Sequence, residues 1–184
     1  MLRPNRQSSA SFRLMSLEFR LRDWLRPPVK ILQKAGAYPG MTVLDFGCGP
    51  GGFSLAAARL VGPEGRVISM DIHPMAVKTV LRAARKQGLR NIHAILGKGT
   101  DDLASASIDL VLLYDVLHDL PEPAPTLAEL HRVLNPSGVL SVGDHHMKEA
   151  LLVATITNGG LYRLAGRSKR TFRFEKLETC GVST

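Results

Sequence analysis

The segment Met41-Thr42-Val43-Leu44-Asp45-Phe46-Gly47-Cys48-Gly49-Pro50-Gly51-Gly52-Phe53-Ser54 limits what this chain can fold into more than any other. A short apolar run ends in an acid, and four glycines follow within six positions before a helical pattern begins. The order predicts a buried strand, a tight turn and a helix N-terminus facing a ligand. Glycine suits such a turn because it takes backbone angles other residues avoid, and because its missing side chain lets a ligand touch the main chain.

The rest of the chain repeats the strand-then-helix order. Thr42 to Phe46 reads as the first strand, and Gly51 to Val61 as a helix stopped by Gly62-Pro63. Arg66 to Asp71 is a second strand. Pro74 opens a helix with Val77, Val80, Leu81 and Ala84 on one face, closed by Gly88. Asn91 to Leu96 is a third strand. Ile108 to Tyr114, almost wholly apolar, is a fourth and is expected to be buried on both faces. A helix carrying Leu127, Leu130, Val133 and Leu134 follows Pro123 and Pro125, and Asn135-Pro136-Ser137-Gly138 turns the chain into a fifth strand, Val139 to Gly143. After a helix from about Lys148 to Thr157, Leu161 to Ala165 and Thr171 to Lys176 alternate polar and apolar residues around a basic Gly-Arg-Ser-Lys turn, which predicts an antiparallel hairpin. The fold class is therefore α/β: a doubly wound, Rossmann-like sheet of five parallel strands, with the hairpin at one edge and helices on both faces.

Four segments are expected. Residues 1–15 are a disordered basic start. They belong to a first seventeen residues that contain Arg3, Arg6, Arg13, four serines and no acid. That composition also suits an organelle transit peptide. Residues 16–40 form a helical lid, with Leu17, Leu21, Trp24 and Leu25 on a first helix, a break at Pro27-Pro28, and Val29, Ile31, Leu32 and Ala35 on a second. Residues 41–178 form the ligand-binding domain and residues 179–184 a tail. No apolar run approaches a membrane span. With only Cys48 and Cys180, far apart in sequence, no disulfide framework is suggested, and a cytoplasmic setting is expected.

The net charge of +8 sits at the ends of the chain. Residues 1–40 carry eight basic and two acidic groups, residues 41–147 nine and eleven, and residues 148–184 seven and three. Aromatic residues are 5% of the chain, too few to interleave these charges with a base-stacking set, so nucleic acid is not favoured as a partner. The expected carboxyl ends of the strands, by contrast, collect acids: Asp45, Asp71, Asp101 and Asp102, Asp115 and Asp119, and Asp144. In an open α/β sheet that edge is where a ligand binds.

Gly47-x-Gly49-x-x-Gly52 with Asp71 about twenty residues on fits a dinucleotide site. A pyrophosphate, however, has little use for an acid just before the turn. Val43-Leu44-Asp45-Phe46-Gly47-Cys48-Gly49-Pro50-Gly51 resembles motif I of the class I S-adenosylmethionine-dependent methyltransferases. Asp71 falls where their second acid stands. Leu110-Val111-Leu112-Leu113-Tyr114-Asp115-Val116-Leu117-His118 resembles their fourth-strand motif, and Leu130-His131-Arg132-Val133-Leu134-Asn135-Pro136-Ser137-Gly138-Val139-Leu140 the helix, turn and strand that follow. The resemblance covers about residues 40 to 145.

It implies S-adenosylmethionine as cofactor, with contacts at Asp45, Gly47, Cys48, Gly49, Gly51, Asp71, Ile72 and Asp115. Asp45 would suit the cationic amino-acid end of the cofactor, and Asp71 could accept both ribose hydroxyls. The family often has an acid soon after strand three; here Lys98 stands near that place, and Asp101 could take the adenine amine or cap the following turn.

His118, His145 and His146 are the candidate bases, His118 first because it follows strand four. No metal is expected, since adjacent histidines in a strand point to opposite faces. Methylases of exocyclic base amines resemble one another in an Asn/Asp-Pro-Pro-aromatic signature where this chain has Asp115-Val116-Leu117-His118, so a small-molecule acceptor, as in quinone-biosynthesis methylases, is expected. A non-catalytic adenosylmethionine-binding protein and a nicotinamide-dependent dehydrogenase stand beside this reading as alternatives.

Overall fold

The apolar run Ile108–Tyr114 forms β4, the middle strand of a seven-stranded sheet, and six of its seven residues are buried. The computed structural model describes residues 28–169 and 171–178. In chain order the elements are α1 (Pro28–Ala35), β1 (Thr42–Phe46), α2 (Gly52–Val61), β2 (Arg66–Asp71), α3 (Pro74–Lys86), β3 (Ile92–Leu96), β4, a 3-10 turn (Leu117–Asp119), α4 (Pro123–Val133), β5 (Leu134–Gly143), α5 (Glu149–Thr157), β6 (Tyr162–Ser168) and β7 (Thr171–Lys176). The basic start, the first helix of the expected lid and the tail 179–184 lie outside the described residues.

The strand order is β3-β2-β1-β4-β5-β7-β6. The first five strands pair in parallel, and β7 pairs antiparallel with both β5 and β6. β2 and β3 lie on one side of β1 and β4 and β5 on the other, so the order reverses between β1 and β4 and a crevice opens at their carboxyl ends. Side-chain alternation along the strands divides the core in two. Val43, Val67, Leu110 and Leu112 face α1, α2 and α3. Leu44, Ile68, Val111, Leu113, Leu140, Phe172 and Phe174 face α4 and α5.

Two boundaries differ from the sequence expectation. The fifth strand begins at Leu134 rather than Val139, because Leu134, fully buried, pairs with Ile108 before the chain bulges and resumes at Leu110↔Val139. The turn residues 135–138 are thus an irregularity within the strand pairing. The hairpin likewise runs further: β6 continues to Ser168, opposite Thr171, across a register shift between Leu164 and Gly166. Its turn falls at Lys169, which takes φ +52°, rather than over Gly-Arg-Ser-Lys.

Candidate functional site

The turn after β1 hangs from β2. The Gly47 and Cys48 N–H groups both donate to the Met70 carbonyl, at 2.8 and 2.9 Å, and the Gly51 N–H closes the turn on the Cys48 carbonyl at 2.9 Å. Two glycines here have opposite reasons to be glycine. At Gly47 (φ +79°) an added Cβ would lie 2.3 Å from Val116 Cγ2, so the residue admits the chain that leaves β4. At Gly49 (φ +50°) an added Cβ would meet nothing within 4 Å, so its backbone borders open space. That is the arrangement a ligand resting on main chain requires.

Asp45 is 3% exposed and sits behind this turn. Ser54 Oγ on α2 donates to its Oδ2 at 2.5 Å, and Ser69 Oγ on β2 donates to Ser54 Oγ at 2.8 Å. Buried carboxylates are stable only when so partnered. Sequence patterning read Ser54 and Ser69 as ordinary helix and strand positions; a serine on the core face of each was the available signal. Cys48 is buried beside Asp45 and Asp71. Burial, and then the two carboxylates, push its thiol well above the usual cysteine range.

Asp71 joins the second strand to the turn. Its Oδ2 accepts the Gly49 N–H at 2.8 Å and its Oδ1 accepts the His73 N–H at 2.8 Å. The His73 side chain caps α3 by accepting the Met75 N–H. Next to Asp71, Ile72 projects into solvent at 71% exposure. Leu96, the register partner of Asp71 on β3, is also exposed. Beyond β3, Asp101 is exposed and its carboxylate lies against Gly99. Arg132 on α4 holds this loop, donating to the carbonyls of Thr100 and Leu103 at 2.9 Å each. The Thr100 hydroxyl donates to Glu129, and the Glu129 carboxylate also accepts from Arg132. Sequence patterning offers no hint of the Arg132 clamp, because an arginine on a helix reads as a solvated charge.

At the ends of β4 and β5 two carboxylates and two imidazoles pair crosswise. Asp144, 6% exposed, directly follows β5, and its Oδ2 accepts the backbone N–H of His118 at 3.1 Å and lies 2.8 Å from His118 Nδ1. Its Oδ1 accepts the His146 N–H at 3.0 Å. Asp115 directly follows β4 with φ +55°, and its Oδ1 accepts the backbone N–H of His145 at 3.1 Å and lies 2.6 Å from His145 Nδ1. The Asp115 N–H continues the strand pairing by donating to Gly143.

The histidines do not point to opposite faces. β5 stops at Gly143, so strand alternation no longer applies at 145 and 146. Their ring centroids stack 3.8 Å apart, and His146 also packs on His118 at 4.3 Å. Among the described residues no group of three or more His, Cys, Asp and Glu has the geometry to hold a metal ion.

Known proteins resemble this chain in sequence and in fold. A family model described as a methyltransferase domain matches residues 38–172. The arsenite methyltransferase of Halobacterium salinarum is 33% identical over 111 residues, 60% of this chain and 28% of that protein. The demethylmenaquinone methyltransferase of Geobacillus stearothermophilus is 28% identical over 132 residues, 71% of this chain and 56% of that protein. A crystal structure of a SAM dependent methyltransferase from Aquifex aeolicus has a TM-score of 0.75 at 25% identity, covering 83% of this chain and 90% of that one. The chain thus spans 56% of the length of one of these curated relatives and 28% of the other.

Proposed function

We propose that this chain, which belongs to the methyltransferase-domain family matched by residues 38–172, binds S-adenosylmethionine at the carboxyl ends of β1, β2 and β4 and transfers its methyl group to a small molecule. The observation that carries the reading is the Asp71 carboxylate locked onto the Gly49 N–H, beside backbone that faces open space. When bound, the cofactor supplies a methyl group on a sulfonium, which is a good leaving group.

The residues present suit that cofactor. It is cationic at its sulfonium and ammonium and has no phosphate, which matches an edge rich in carboxylates. The turn from Gly47 through Cys48 and Gly49 to Gly51 would support it on main chain. Asp71 retains lone pairs on both oxygens for ribose hydroxyls after serving Gly49 and His73. Ile72 and Leu96, large apolar side chains left exposed beside Asp71, suit the faces of a purine. Asp101 stands within the loop that would receive the adenine amine, Asp45 would act through its charge from beneath the turn, and Asp115 would border the reacting end. His118 is the group on the acceptor side.

A small-molecule acceptor is favoured over nucleic acid by the Val116-Leu117-His118 sequence after Asp115, and relatives named for arsenite and demethylmenaquinone point the same way. No helix among the described residues is long and apolar enough to cross a membrane. A cytoplasmic setting is proposed from the two cysteines, Cys48 and Cys180, which suggest no disulfide framework. Holding donor and acceptor in line can supply much of the rate without a dedicated catalytic group. Titration calorimetry with adenosylmethionine, adenosylhomocysteine and NAD tests the reading. Saturable binding of the two sulfur compounds, and none of NAD, is expected; the reverse pattern would refute it.

A further inference from the structure

Methyl transfer does not of itself need a base. A sulfonium methyl can be taken by an amine, a thiolate or a carboxylate without prior help. The carboxyl ends of β4 and β5 nevertheless hold an imidazole fixed by a buried carboxylate. The Asp144 side chain is fully buried, and its Oδ2 is shared by the backbone N–H and the Nδ1 of His118. Its other oxygen is held by the His146 N–H. Asp144 therefore cannot swing away from the ring, and an imidazole bonded to a carboxylate through Nδ1 carries its proton there. The basic lone pair is left on Nε2. His118 keeps 25% of its side chain exposed, and its Nε2 lies 3.5 Å from the exposed Asp119 carboxylate.

Other charged groups face the same ring. Asp119 Oδ1 lies 3.5 Å from Nε2 and is 79% exposed. His146 covers one face of the ring, and His145, bonded to Asp115, stacks beyond it. Two carboxylates thus flank the imidazole, Asp144 at Nδ1 and Asp119 near Nε2. The orienting role of a buried carboxylate behind a histidine base has the same physical logic in hydrolytic triads.

We infer that His118, positioned by Asp144, removes the proton of a phenolic or enolic hydroxyl, so that the acceptor atom is oxygen. This rests on the methyl-transfer reading above. The balance is direct. The hydroxyl proton passes to His118 Nε2, and the freed oxygen electron pair forms the bond to the methyl carbon. The carbon–sulfur bond breaks with its electrons left on sulfur. The products are a methyl ether, neutral adenosylhomocysteine and an imidazolium held by Asp144, which then loses its proton to solvent. A neutral imidazole within reach of the hydroxyl can take its proton as the bond to carbon forms. A carboxylate or a tertiary amine, having no proton to lose, would gain nothing from the arrangement. Asp144 is a positioning residue and His118 the catalytic one.

The first test needs no acceptor. Nitrogen-15 NMR of the full chain, with His118 assigned through His118→Gln, should show the Nδ1-protonated neutral tautomer near neutral pH. In Asp144→Asn that preference should be lost. An Nε2-protonated or permanently cationic His118 in the wild type overturns the inference whatever the variant does.

The second test uses labelled adenosylmethionine with phenols of stepped acidity, from 4-nitrophenol, ionised at mildly alkaline pH, to unsubstituted phenol. Asp144→Asn and His118→Gln should each lower kcat/KM for phenol at least about a hundredfold. The loss should be less than about threefold for 4-nitrophenolate, which needs no base. A uniform loss across the series, or transfer confined to thiol, amine or carboxylate probes, overturns the inference. Failure to bind adenosylmethionine at all would refute the methyl-transfer reading instead, with the tautomer result standing apart from it.

Discussion

Asp71 Oδ2 accepts the Gly49 N–H at 2.8 Å, so the end of β2 and the middle of the glycine turn form one unit. The second carboxylate oxygen accepts the His73 N–H, which fixes the entry to α3. The residue proposed to hold the ribose therefore also holds the turn on which the rest of the cofactor would lie. Asp71→Asn keeps the shape but loses the charge and offers only one acceptor oxygen. It should cost about 1–3 kcal/mol of stability and weaken adenosylmethionine binding at least about tenfold. Thermal unfolding and titration calorimetry read the two effects separately. A lowered melting temperature with wild-type affinity would reduce Asp71 to a structural tie.

Gly47 and Gly49 should fail differently when changed to alanine. At Gly47 the new methyl meets Val116 Cγ2 at 2.3 Å, and a positive φ adds strain. A loss of about 2–4 kcal/mol is expected, combining roughly 1–3 from overpacking with roughly 1–2 from the left-handed backbone. Val116→Ala in the same chain should recover part of it, since Val116 Cβ would lie at an ordinary 3.5 Å. At Gly49 the methyl meets no protein atom, so only the backbone term of roughly 1–2 kcal/mol applies. Gly49→Ala should fold and still fail to bind adenosylmethionine. Binding by a folded Gly49→Ala protein would mean that the ligand does not rest on this turn.

How far the sequence foretold this site depended on whether the signal was local. The turn, the acids at the strand ends and β4 were legible because glycine spacing, an apolar run and period-two alternation are properties of adjacent residues. Legibility failed where the partner is distant. Ser54 and Ser69 meet Asp45 only because α2 folds back over β1 and β2. The crosswise pairs join residues 26 and 30 positions apart. Alternation misplaced His145 and His146 because it was carried past Gly143, where the strand ends. The hairpin turn was misplaced for a related reason: the register shift in β6 moves the point of reversal, and no single residue announces it.

The Arg132 clamp offers a prediction about the loop carrying Asp101. Arg132 donates to the carbonyls of Thr100 and Leu103 and to the Ser105 hydroxyl, and it pairs with Glu129. Arg132→Ala should speed amide hydrogen exchange across residues 100–105 while leaving β4 protected. Any loss of adenosylmethionine affinity should exceed the loss of methionine affinity if the loop receives the adenine as proposed. Unchanged exchange in the loop would show that the clamp does not order it.

Ser54→Ala removes the hydroxyl that donates to the buried Asp45 carboxylate and that accepts from Ser69. The cost should be about 1–3 kcal/mol, the usual consequence of stripping a partner from a buried polar group. Chemical denaturation measures it. Ser69→Ala should cost less, because the Ser69 hydroxyl donates to Ser54 Oγ rather than to the carboxylate. Equal losses would mean that the hydroxyl pair, and not its bond to Asp45, supplies the stability.

Cys48 gives the turn a signature at alkaline pH. Its thiol is raised by burial first and by Asp45 and Asp71 next, so the folded protein keeps the proton where the unfolded chain would release it. The contribution is present below the unfolded thiol value, near 8.5, and is lost progressively as pH rises beyond it, because the unfolded state then binds fewer protons than the folded one. Buried Tyr114 and Tyr162, raised in the same direction by burial, act through the same linkage from about pH 10 upward. Between pH 8.5 and 10 the fall in stability should therefore be flatter in Cys48→Ala than in the wild type, and denaturant titrations at several pH values measure that difference. The same raised thiol should leave Cys48 unmodified by iodoacetamide at pH 8 in the native protein, with modification after unfolding in guanidinium. Rapid native modification, read by peptide mass spectrometry, would mean that the turn opens far more often than its hydrogen bonds to Met70 suggest.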